Sequence, residues 1–162
     1  MSQRGILLDT CVFSEFVKRD PDTRVVRWLF EADDLALSVG VVIEIEKGIA
    51  LLGKQNSPKA AVLRAYLDLA LSLDLTLLAS DRHVARLTGQ MMSRPELRNA
   101  WMDHPGSRKP KFAQDIHIAA AAIAHGYALA TFDVADFERI DRWFPLPGLI
   151  NPRKFVGRID GS

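Results

Sequence analysis

Ile6-Leu7-Leu8-Asp9-Thr10 is three apolar residues closed by a carboxylate and a hydroxyl. A short strand buried on both faces reads this way, as an unbroken apolar run bounded by polar residues where it leaves the core. The pattern returns in Tyr127-Ala128-Leu129-Ala130-Thr131-Phe132-Asp133, where an apolar run again meets a hydroxyl and an acid. Two further runs, at 35–39 and 75–78, have the same strand-like character. The intervening stretches repeat at helical spacing. Val25, Val26, Leu29 and Phe30 share one helix face, and helices are expected over 12–18, 43–53, 59–71, 82–92 and 116–124. Asp81 is the expected N-cap of the 82–92 helix, and Gly126 stands where a helix over 116–124 would end. Residues from Asp136 onward form a helical turn, and the proline-containing tail is extended. Strands alternating with helices predict an α/β fold in one domain over 1–162, with a central, mostly parallel sheet between helices.

Four acids stand at the ends of these apolar runs: Asp9, Glu44, Asp115 and Asp133. The carboxyl edge of an open α/β sheet is where ligands bind. Each acid also has an ordinary structural role. Asp9 and Asp115 suit helix N-caps, Glu44 a helix first turn, and Asp133 a turn. Taken singly these roles are favoured. Taken together, four converging carboxylates raise one another's pKa and call for a hard divalent cation held through oxygen. Glu44 is preferred to Glu46, which lies two residues on and faces elsewhere. Thr10 and Thr131 place hydroxyls beside the pocket, and Asp136 either supports it or caps the next helical turn. His117 is expected to be structural or to lie at the rim. Gly48, inside a helix, predicts a close packing contact, because glycine there costs about 1 kcal/mol against alanine.

The whole chain restricts the function classes. Its 162 residues carry a formal charge of +1, which gives no global basic footprint for nucleic acid. No apolar run approaches the roughly 20 residues of a membrane span, and the first residues lack a signal-peptide core, so a cytoplasmic protein is expected. The single cysteine, Cys11, excludes an internal disulfide and a thiolate metal cluster. Charge is uneven along the chain. Arg94, Arg98, Arg108, Lys109 and Lys111 stand against Glu96 and Asp103, a basic stretch that reads either as a phosphate track or as a solvated loop.

The motifs around the acids resemble those of the PIN-domain nucleases, and specifically the VapC/FitB-like toxins of toxin–antitoxin pairs. Leu7-Leu-Asp9-Thr10-Cys11-Val-Phe-Ser14 is similar to the family's Leu-Asp-Thr-Asn-Val-x-Ser. Ser38-Val-Gly-Val-Val-Ile-Glu44-Ile-Glu-Lys-Gly48 is similar to its strand followed by Glu-Leu-x-x-Gly. Asp115-Ile-His-Ile-Ala-Ala-Ala-Ala and Ala130-Thr131-Phe-Asp133-Val-Ala-Asp136-Phe137 complete the set, in the family's order. Arg24-Val-Val-Arg-Trp-Leu and Leu149-Ile-Asn151-Pro152 are similar to the FitB-like subgroup. The resemblance implies a PIN-like three-layer α/β/α sandwich. It implies an endoribonuclease using Mg2+ or Mn2+ held by Asp9, Glu44, Asp115 and Asp133, of which Asp9 and Asp115 are the firmest ligands. It further implies a cognate antitoxin, contact with operator DNA only through that antitoxin, and a homodimer. Two departures stand out. Cys11 replaces the usual asparagine, which removes an amide beside Asp9, and the segment before Asp115 is longer and more basic. A receiver domain wants an acidic pair after its first strand, and a haloacid-dehalogenase-like phosphatase wants Asp-x-Asp there. Asp9-Thr10-Cys11 fits neither. A DNA-directed PIN nuclease and a non-catalytic metal-binding regulatory module stay as alternatives.

Overall fold

The computed structural model describes residues 3–72, 75–100 and 114–154, with the side chain of Ala100 excepted. Of the basic stretch, Arg94 and Arg98 are therefore described, whereas Asp103, Arg108, Lys109 and Lys111 lie outside the described residues. Strand β1 (Ile6–Leu8) leads into α1 (Thr10–Phe13), a 3-10 turn (Ser14–Val17) and α2 (Thr23–Glu31). Strand β2 (Leu35–Ser38) is followed by α3 (Val39–Lys54) and α4 (Pro58–Ser72). Strand β3 (Thr76–Leu78) precedes α5 (Arg82–Met92), a 3-10 turn (Pro95–Ala100) and α6 (Gln114–His125). Strand β4 (Ala128–Ala130), α7 (Val134–Asp141), β5 (Leu149–Ile150) and a last 3-10 turn (Pro152–Lys154) complete the order.

The five strands form one sheet in the order β3-β2-β1-β4-β5, and every pairing is parallel. From β1 the chain steps outward to β2 and β3, then crosses to β4 and β5 on the other side. Right-handed crossovers therefore put α1 to α4 on one face and α5 to α7 on the other, the expected three-layer sandwich. Coverage on both faces explains why β1 and β4 are apolar at every position: all six residues are buried. Edge strand β3 keeps only Leu78 buried. Ala119, Ala120, Ala121 and Ala122 are fully packed in α6, where small side chains let the helix axis approach its neighbours. Gly126 ends α6 at φ +76°, and the N–H groups of Gly126 and Tyr127 both return to the Ala122 carbonyl. A left-handed residue with two bonds to the last turn is what glycine supplies at this place.

Several expected boundaries move. The run after Leu37 leaves the sheet at Ser38, whose Oγ accepts the Val41 N–H at 3.3 Å and caps α3. The β-branched residues that follow are thus helical, and Glu44 sits in the second turn of α3 rather than its first. Asp9 caps α1 at Thr10, earlier than residue 12. Asp115 lies inside the first turn of α6, which begins at Gln114, so it is not an N-cap. Asp133 occupies the N-cap position of α7, and Asp136 is inside that helix instead of starting it. The expected contact at Gly48 is not found: among the described residues, nothing beyond its own stretch of helix lies within 4 Å of where its Cβ would be. The close approach is at Gly40, where a Cβ would stand 2.7 Å from His117 Nδ1. No described helix is long and apolar enough to cross a membrane.

Candidate metal centre

Sheet register sets the site. The Asp9 N–H donates to the Ala130 carbonyl at 2.9 Å, and the Thr131 N–H to Ile150 at 3.0 Å. Asp9 and Thr131 therefore lie one step beyond the paired ends of β1 and β4, side by side at the carboxyl edge. Asp9 is only 6% exposed. Its Oδ1 accepts the Thr10 N–H at 2.8 Å, and its Oδ2 accepts the Thr131 hydroxyl at 2.7 Å and the Cys11 thiol at 3.3 Å. Thr131 Oγ1 in turn accepts the Asp133 N–H at 3.0 Å, so one buried hydroxyl holds the Asp9 carboxylate and the backbone of Asp133. Thr10 does similar work on the other side, donating its hydroxyl to Glu44 Oε2 at 2.6 Å. The second turn of α3 is thereby tied to the end of β1.

Three of the four expected acids are thus drawn into mutual electrostatic range. Burial raises the pKa of Asp9, against the hydrogen bonds from Thr131, Cys11 and Thr10, and the Asp133 charge raises it further. Burial also raises Glu44, against the Thr10 hydroxyl, and the charges of Asp9 and Asp133 add to the rise. Asp115 reaches the same edge by a different route. Helix α6 leads through Gly126 into the start of β4, so its first turn lies at the opposite, carboxyl edge. There His117 packs over Gly40 at the start of α3 and places Nε2 2.9 Å from Ser80 Oγ, just beyond β3. Burial lowers the pKa of His117. Glu46 turns away and pairs with Arg64. Asp136 has Arg139 3.9 Å from its carboxylate.

Cys11 carries more of the site than its sequence position suggests. Its Sγ donates to Asp9 and accepts the Phe132 N–H at 3.5 Å, so the thiol supplies both a donor and an acceptor beside the carboxylate. Ligand atoms of Asp9, Cys11 and Asp133 all lie within 4.8 Å of one another. Burial, followed by the Asp9 charge, pushes the Cys11 thiol up to about 12. It therefore stays a neutral thiol at neutral pH, and the anionic donors are oxygen. Buried Asp9 and half-buried Glu44, each held by a threonine hydroxyl, with exposed Asp133 beside them, fit a hard divalent cation.

The PIN domain family model matches residues 6–142. The chain belongs to the PIN-domain family. A VapC ribonuclease of Sinorhizobium fredii is 33% identical over 154 residues, covering 86% of this chain and 99% of the relative. Toxin FitB of Neisseria gonorrhoeae is 35% identical over 141 residues, covering 84% and 93%. The crystal structure of FitAcB from the same organism superposes with a TM-score of 0.68 at 30% identity, covering 93% of this chain and 99% of its counterpart. VapBC2 of Rickettsia felis, solved on a promoter DNA fragment, shares the fold with a TM-score of 0.61 at 22% identity. The chain is thus a PIN domain of the VapC/FitB type.

Proposed function

We propose that this PIN-domain protein is the toxin of a toxin–antitoxin pair and hydrolyses RNA phosphodiester bonds with Mg2+ or Mn2+ held by Asp9, Glu44, Asp115 and Asp133. The observation that carries the reading is Asp9: a buried carboxylate with three donors on it, whose pKa the Asp133 charge raises and whose own charge raises that of Glu44. Without a cation that arrangement is unfavourable, and with one it is neutralised. A divalent ion bound there supplies an activated water and stabilises charge on the phosphate and leaving oxygen. The chain's own residues do the positioning. Thr131 and Cys11 fix the Asp9 carboxylate, Thr10 fixes Glu44, and the Thr131 hydroxyl holds the Asp133 backbone. RNA is preferred to DNA as substrate because the Sinorhizobium relative is named a ribonuclease.

An antitoxin partner is supported by a different surface. A cavity of about 230 Å³ opens between the 3-10 turn after α1, α2 and α4, lined by Phe13, Phe16, Leu29, Phe30, Tyr66 and Leu69 among others. Phe30 is 76% exposed there, and an open aromatic-lined groove of this kind marks a docking site for an apolar segment. The FitA–FitB and VapB–VapC assemblies among the structural relatives make an antitoxin the natural occupant. A homodimer, and operator contact only through the antitoxin, belong to the same reading. RNA cleavage by the purified protein with Mg2+ or Mn2+, in EDTA, and by Asp9→Asn and Asp115→Asn variants tests it.

A further inference from the structure

Beside the acids stands a cluster that carboxylate chemistry leaves unused. Phe132 lies between Thr131 and Asp133, and its N–H is held by Cys11. The Arg153 guanidinium carbon is 3.8 Å from the centre of the Phe132 ring, and Lys18 Nζ is 5.9 Å from it. Both cations also face one carboxylate, Glu15: Lys18 Nζ at 2.6 Å and Arg153 Nη2 at 4.0 Å. Glu15 is 2% exposed and also accepts the Asp22 N–H at 2.8 Å, so the anchor is fixed in place. Burial pushes Glu15 up, but the Asp22 N–H and the Lys18 and Arg153 charges outweigh it and hold Glu15 ionised.

Two cations against one anion leave a net positive charge. The Lys18 and Arg153 side chains are 42% and 44% exposed, so their charged ends remain open to a ligand. They come from the turn after α1 and the turn after β5, segments far apart in the sequence. Buried Glu15 needs a compensating charge, which Lys18 at 2.6 Å supplies, so the half-exposed Arg153 at 4.0 Å adds little to that pairing. An acidic centre repels the strand it is to cut, and cations at its rim offset that repulsion. A guanidinium lying flat on a ring has already lost much of its freedom and presents a planar fork suited to phosphate.

We propose that Lys18 and Arg153, held at Phe132 by Glu15, bind a phosphate of the RNA strand neighbouring the one at the acidic centre. The proposal rests on the ribonuclease reading above. It is tested on the full chain by titrating a labelled single-stranded oligoribonucleotide in EDTA, where no metal-dependent cleavage occurs, across a series of salt concentrations. Each phosphate contact to a single strand contributes about 0.7 to the slope of log affinity against log salt. Because both cations hold the same phosphate, the Lys18→Met/Arg153→Met pair is expected to lower the slope by about 0.7, and each single variant by less. Arg153→Lys keeps the slope but weakens affinity, because the charge stays and the fork is lost. Thermal melts of each variant exclude unfolding as the cause. In cleavage assays the pair raises KM and leaves kcat unchanged. An unchanged slope and KM in the double variant overturn the proposal, as does a loss of antitoxin binding with RNA binding intact. If the wild-type protein cleaves no RNA with any divalent metal while the slope still falls, the ribonuclease reading fails and the phosphate site stands.

Discussion

Thr131 shows how single residues set this centre. Its hydroxyl is buried, donates to Asp9 and accepts from the Asp133 backbone. Thr131→Val keeps the shape and removes both bonds. It is expected to cost about 1–3 kcal/mol in urea unfolding, since a buried carboxylate loses a donor and an N–H its acceptor. Mn2+ affinity measured by calorimetry should fall by about 10–100-fold, the usual effect of losing a group that orients a metal ligand. The acids themselves make stability depend on pH. Asp9 and Glu44 have native pKa values above their ordinary 3.8 and 4.5, so the native state binds protons more tightly than the unfolded chain. Their contribution is therefore favourable at low pH and declines as pH rises from the ordinary values through the raised native ones. A cation that binds the ionised forms reverses this. The increase in Tm on adding Mg2+ should be small at about pH 5 and larger near neutrality, and an increase independent of pH would contradict the assignment. The sequence reveals the acids and hydroxyls because they sit where apolar runs stop. It does not reveal that Cys11 is both a donor and an acceptor, since that depends on the Phe132 N–H arriving from the turn after β4.

At the scale of elements, Val39-Gly-Val-Val-Ile has the composition of a strand and the structure of a helix. The Ser38 cap and packing against α6 override β propensity, and that moves Glu44 one turn along α3 to where Thr10 can reach it. Two glycines of α3 separate the close contact from the open one. Gly40→Ala would press a methyl group to within 2.7 Å of the His117 ring and is expected to destabilise by about 1–3 kcal/mol. Gly48→Ala, with no described residue beyond its own stretch of helix within 4 Å, should stabilise by about 0.4–1 kcal/mol. Denaturant unfolding of both variants, with His117→Ala relieving the first, checks the packing of α3 on α6. Helical spacing alone cannot rank these glycines, because their difference lies in a helix more than sixty residues away.

Over the whole molecule, the α/β alternation and the three-layer sandwich are legible from apolar periodicity, and the four motifs place the family. The sheet order, the short β5 and the Lys18–Glu15–Arg153 cluster are not, because each joins segments that only the closed fold brings together. The two exposed surfaces are separable. Phe30→Asp, in the apolar groove, should abolish inhibition by the antitoxin while RNA cleavage stays within about twofold, since Phe30 lies outside the acidic centre. Loss of both would place the groove in substrate binding. In the proposed function, buried Asp9 and its neighbouring acids hold the divalent cation that cuts RNA. Cleavage of a labelled RNA by wild-type protein and by Asp9→Asn, each with Mn2+ and with EDTA, tests it most directly. Metal-dependent cleavage by the wild type, silenced by EDTA and lowered about 100-fold or more by Asp9→Asn, is the predicted result. Cleavage that persists in EDTA, or an Asp9→Asn protein that cuts at the wild-type rate, would contradict it.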